Sequence, residues 1–120
     1  MGKASFAGND DNPIGVTYST ARGPVLRSDR SEIARVFFEK GKGAERHSHP
    51  EEQTFYVVAG RLRVSLGEEG SAETYEVAAG EGSFHPSNVP HQVTALEDTS
   101  CVSFKNLIDP SKYDPTGKLA

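Results

Sequence analysis

The chain is short of several things at once. It has one cysteine, one methionine and no tryptophan in 120 residues. A single cysteine, Cys101, excludes an internal disulfide framework. No apolar run approaches the roughly 18 residues that a membrane span needs. The opening MGKASFAGND lacks the apolar centre of a secretory signal. It begins Met-Gly, but Phe6 stands where a myristoylation motif prefers Ser or Thr. Basic residues number 13 against 17 acidic ones, for a net charge of −4. The basic residues are scattered, so they form no stripe for nucleic acid or an anionic membrane. The expectation is a cytoplasmic protein with a small-molecule partner, no nucleic acid and no membrane.

Helical periodicity is also missing. Only Ser28–Glu39 competes, because its Ser-x-x-Ser-Glu start could cap a helix. Its IARVFF run favours a strand instead. What remains is a succession of short β candidates. Ile33–Phe38, Phe55–Val58, Arg61–Leu66, Glu73–Val77, Ser83–Pro86, His91–Ala95 and Ser100–Leu107 read as strands. In Arg61–Leu66 the alternation is strict, with Leu62, Val64 and Leu66 on one face. The segments Gly67–Gly70 and Ala79–Gly82 read as turns. Residues 1–24 form an arm with at most one short strand, Gly15–Ser19. Residues 25–108 form the domain, and 109–120 a tail. Short strands with turns every eight to twelve residues indicate an all-β sandwich or barrel.

The chemistry concentrates in His47–Gly60, HSHPEEQTFYVVAG. Strand residues two apart point the same way, so His47 and His49 make a bidentate grip for a metal. Pro50 then interrupts the ladder, since it has no N–H to donate. Gln53, Phe55 and Val57 share one parity; if it faces inward, Gln53 joins the histidines. Glu51 shares that parity but directly follows the proline, and Glu52 faces the other way. Both read as solvated turn residues. His91, after Pro90, opens another strand and can close the site. His85, before Pro86, reads as a loop or rim residue. Cys101 reads as a small buried residue.

The spacing resembles the first motif of the cupin superfamily, G-x5-H-x-H-x3-E-x6-G. Here it runs Gly41, His47, His49, Gln53, Gly60, with Gln in place of the usual Glu. Gly80, Pro86, Asn88 and His91 resemble the second motif, G-x5-P-x-G-x2-H-x3-N. Asn88 replaces its Gly, and Ala95 stands where the final Asn would be. That glycine slot needs a tight turn, and Asn tolerates left-handed φ better than most residues. The resemblance covers residues 41–95. It implies a double-stranded β-helix, the jelly-roll barrel of cupins. It also implies one divalent transition metal held by His47, His49, Gln53 and His91. Mixed N and O donors suit Fe, Ni, Mn, Zn or Cu.

A glutamine binds through a neutral carbonyl oxygen. It leaves the ion its full positive charge and makes it the stronger Lewis acid. Three function classes follow. One is non-redox work on a carbonyl, enol or sugar-acid substrate, an enolate-type isomerisation or cyclisation. Another is dioxygenation. The third is a non-catalytic binding or sensor barrel. Small cupins that linearise unsaturated uronates have a similar HSHP-x-E-Q pattern. They also carry an Asp and an Arg near the C-terminal strand, and SCVSFK has neither. Gln53 is the candidate for proton movement. Arg35 would hold a substrate carboxylate if it faces inward, and otherwise lies on an outer face. Phe55 is the aromatic candidate for substrate contact. The outward parity of Tyr56 and Val58 predicts a homodimer, as the resemblance also implies.

Overall fold

The computed structural model describes residues 3–6 and 8–108. The expected tail 109–120 lies outside the described residues, as do Met1, Gly2 and Ala7 of the arm. Nine strands form among the described residues: β1 (Val25–Arg27), β2 (Ser31–Phe38), β3 (Gly43–His47), β4 (Gln53–Ala59), β5 (Arg61–Leu66), β6 (Glu73–Ala78), β7 (Gly82–His85), β8 (His91–Ala95) and β9 (Thr99–Asn106). The described residues hold no helix. Ser28–Glu39 resolves to strand, as its β-branched and aromatic run dictates.

Two antiparallel sheets face each other as a jelly roll. One has the order β1-β2-β9-β4-β7 and the other β3-β8-β5-β6. Period-two patterning decides what each strand turns inward. On β4 the inward residues are Gln53, Phe55 and Val57, while Thr54, Tyr56 and Val58 are exposed. On β5 they are Leu62 and Val64, both fully buried. Phe38, Val25, Val77, Val93 and Cys101 complete much of the core. Truncating a fully buried leucine such as Leu62 to alanine costs about 2–5 kcal/mol.

The expected strand at Gly15–Ser19 does not form. Val16 to Tyr18 make a turn, and Ser19 contributes a single bridge to Ala44. Gly15 takes φ +64°, and a Cβ there would lie 2.9 Å from the Tyr18 ring. The missing side chain lets that ring fold inward. The rest of the arm is laced to the barrel: Pro13 bridges Arg22, Arg22 bridges Phe37, and the Thr20 amide donates to Gly43 O at 2.9 Å. The arm thus spans the gap between β2 and β3. At the far side, between β6 and β7, Tyr75 Oη and Ser83 Oγ lie 2.8 Å apart.

Two turn positions take positive φ, and the one at Asn88 matches the sequence reading. Gly60 has φ +98°, and a Cβ there would come within 2.4 Å of Thr99 Oγ1, so only glycine fits. Asn88 is the one non-glycine residue with positive φ, 62°, among the described residues.

Candidate metal centre

β3 ends at His47, and its register against β8 shifts between Ala44 and His47. The chain then leaves the ladder through Ser48, His49 and Pro50 and returns as β4 at Gln53. His49 therefore lies outside the strand, yet it points the same way as His47. His91 is the register partner of His47 across β8. The rings converge: centroids lie 4.3 Å apart for His47 and His91, 4.9 Å for His49 and His91, and 5.5 Å for His47 and His49. One ligand nitrogen from each lies within 4.8 Å of the others.

Backbone carbonyls set the orientation of all three. His47 Nδ1 meets Glu45 O at 2.7 Å, His49 Nδ1 meets Glu51 O at 2.9 Å, and His91 Nδ1 meets Val89 O at 3.0 Å. Each Nδ1 carries the proton and donates it, so each Nε2 keeps a lone pair. His49 Nε2 and His91 Nε2 are buried without any hydrogen-bond partner. Leaving two such atoms unsatisfied is costly in a core. A cation between them removes the cost, so the donor set fits a metal.

The histidines are held neutral, as ligands must be. Burial lowers the His91 pKa to about 4, with further lowering by His47, His49 and Lys105. Burial also lowers His47 and His49, and Lys105 adds to both.

Gln53 is buried, and its Nε2 donates to Ser103 Oγ at 2.8 Å. That bond fixes the amide. The Gln53 side chain also favours the protonated form of His49, and it lines one cavity with His47 and His91. The fourth sequence candidate therefore lies beside the three histidines.

Behind the cluster, His85 differs from its expected rim position. It is fully buried at the end of β7, opposite Gln53, with its ring centroid 4.4 Å from that of His91. Its Nε2 meets Ser83 Oγ at 2.9 Å, and burial pushes its pKa down to about 3. Glu51 is likewise buried rather than solvated, with Oε1 3.7 Å from His49 Nδ1. The turn at Pro50 folds it under the loop. Glu52 is exposed, as expected.

A cavity of about 40 Å³ adjoins the cluster, and His47, His91, Gln53 and Phe55 line it. Arg35 does not reach it. The inward residues of β2 are Glu32, Ala34, Val36 and Phe38, so Arg35 projects from the outer face and pairs with Asp10. Two side chains that the sequence reading passed over do reach it. Tyr18 lines the cavity and stacks on His47, with centroids 3.9 Å apart and planes at 23°. Burial raises its phenol pKa, and Glu32 and Glu51 add to the rise, so it stays protonated. Lys105 lines the cavity from β9. Its signal was legible, since it shares parity with Cys101 and Ser103. No local signal marks Tyr18, whose place depends on the arm folding back. Cys101 is fully buried, and burial raises its thiol pKa to about 12, so it is inert.

Comparison with known proteins gives a family and a fold. The family profile described as "Cupin domain" matches residues 34–104, more than half of the chain. No curated protein matches the sequence. Among solved structures, KdgF from Halomonas sp. is 24% identical with TM-score 0.63, over 73% of this chain and 80% of that one. A conserved Streptococcus pyogenes protein of unknown function is 24% identical with TM-score 0.61, over 76% and 74%. A variant of oxalate decarboxylase from Bacillus subtilis is 21% identical with TM-score 0.72. It aligns over 99% of this chain but only 33% of its own. At these identities the likeness concerns the fold.

Proposed function

The chain belongs to the cupin domain family, and from that premise we propose that it is a metal-dependent enzyme acting on a small oxygenated substrate. The observation that carries this reading is the set of three imidazoles, each with Nδ1 locked on a backbone carbonyl and one ligand nitrogen of each within 4.8 Å of the others, beside a cavity that His47 and His91 line. Gln53 is the proposed fourth donor. A bound divalent cation would supply Lewis acidity there, undiminished by a ligand carboxylate.

The reaction best supported is non-redox, an enolate-type isomerisation or cyclisation of a carbonyl, enol or sugar-acid compound. The chain's own residues suit that work. Tyr18, held protonated beside His47, offers an O–H donor to the cavity. Lys105 favours negative charge at the same place. Phe55 and its apolar neighbours exclude water. Gln53, held by Ser103, positions its oxygen without carrying charge.

The test is metal analysis followed by turnover assays. Zinc, nickel or manganese with turnover under argon supports this reading. Iron with substrate-dependent O₂ consumption would put the protein among dioxygenases instead. A chain that binds ligand but turns none over would be a binding or sensor barrel.

Self-association belongs to the same proposal. Tyr56, Val58, Phe84 and Phe104 stand half exposed on the outer face of the five-stranded sheet. Thr54 pairs with both Phe84 and Phe104, which makes the apolar face continuous. A second copy is its proposed cover. The proposed compartment is the cytoplasm, on the sequence grounds given above.

A further inference from the structure

Register builds one polar row across the inner face of the five-stranded sheet. Arg27 faces Glu32, Glu32 faces Lys105, Lys105 faces Gln53, and Gln53 faces His85. The charges in this row do not cancel. Glu32 is held by Arg27, with Oε2 3.1 Å from Nη2 and 3.3 Å from Nε, and both side chains are nearly buried. Gln53 and His85 are neutral. Lys105 is left as a half-buried cation with no ion pair among the described residues. It lines the cavity with His47 and His91 and is near enough to lower the pKa of both.

We propose that Lys105 receives the carboxylate of a short 2-hydroxy or 2-oxo acid, whose neighbouring oxygen turns toward His47 and His91. Three observations carry this. A half-withdrawn cation whose neighbouring carboxylate, Glu32, is already taken by Arg27 calls for an anion. The cavity holds about 40 Å³, where one water needs about 10–15 Å³, so only a few heavy atoms of a ligand fit inside it. The remaining wall includes Val36, Phe38 and Phe55, with the Arg27-paired Glu32 beside them, which suits a short alkyl group and not a second negative charge. The direction of the neighbouring oxygen rests on the proposed metal site. The contact between Lys105 and the carboxylate does not.

The experiment is calorimetric titration with lactate and its neutral amide, lactamide. It compares wild type, Lys105→Met and Lys105→Arg, each metal-free and zinc-loaded, with zinc stoichiometry measured separately. Lactate is expected to bind wild type tighter than lactamide by about tenfold or more, from the charge-assisted bond. Lys105→Met should lose that preference and leave lactamide binding and zinc stoichiometry unchanged. Lys105→Arg should keep most of the preference. Equal lactate affinity in wild type and Lys105→Met overturns the proposal, and so does a wild type that binds no lactate. If zinc fails to bind but the metal-free chain still prefers lactate through Lys105, the metal reading falls and the carboxylate site stands. Matching thermal melts show that Lys105→Met has folded.

Discussion

Gln53 Nε2 donates to Ser103 Oγ at 2.8 Å across the β4–β9 pair. A serine on one strand thereby holds an amide on the next that lines the cavity with His47 and His91. Ser103→Ala removes the acceptor and frees the amide to turn. Metal affinity should fall by about 10–100-fold, the usual effect of losing an outer-shell partner. Stability should fall by about 1–3 kcal/mol, because Gln53 is left unsatisfied in the core. Zinc titration and a denaturant melt on the same variant separate the two effects. Unchanged zinc affinity would mean that Gln53 needs no orientation.

His49→Ala should abolish metal binding and activity. His91→Ala should do the same, since the buried Nε2 atoms of these two residues converge with a nitrogen of His47. Metal analysis of each purified variant is the check. A variant that kept stoichiometric metal would place the site elsewhere.

Gln53→Glu should keep the metal and change the pH dependence and rate. A carboxylate cancels one positive charge and weakens the Lewis acid. A pH–rate profile identical to wild type would remove Gln53 from the coordination sphere.

The metal-free protein should lose stability on acidification. His85 titrates at about 3 and His91 at about 4, both below the ordinary 6.5. Between those values and 6.5 the unfolded chain binds protons that the folded chain excludes. Stability is therefore intact above about pH 6.5 and falls as pH drops below it, by up to about 1.4 kcal/mol per pH unit for each histidine. Melting curves at about pH 7.5 and about pH 5 read this slope. His85→Leu, which cannot take up a proton, should flatten it; a slope as steep as wild type would assign the effect to other groups.

Phe104→Lys should dissociate the proposed dimer. It places a charge in the middle of the apolar outer face, beside Thr54 and Ile33. Light scattering of wild type and variant decides it, and a monomeric wild type at micromolar concentration would defeat the idea outright.

Several features were readable from the chain alone because they are local. Strand parity is a property of the extended backbone, so the inward set Gln53, Phe55 and Val57 followed from spacing. The left-handed turn at Asn88 followed from a steric rule. The gathering of His47, His49 and His91 followed from motif spacing together with a β frame.

Other features depended on what lies across the barrel. IARVFF is apolar on both parities, so nothing in the run told which way Arg35 points. Pairing with β9 decided it, turning Glu32, Ala34 and Val36 inward and Arg35 out to Asp10. His85 reads as a rim residue beside a proline, yet pairing with Gln53 buries it completely. Glu51 is buried by the fold of the Pro50 turn, and Tyr18 reaches His47 only because the arm closes the gap between the sheets. The local period dictates which residues share a face. Which face meets the core, and what charge it meets there, depends on long-range pairing. That is why the three converging histidines could be named from the sequence, while the outward turn of Arg35 and the burial of His85 could not.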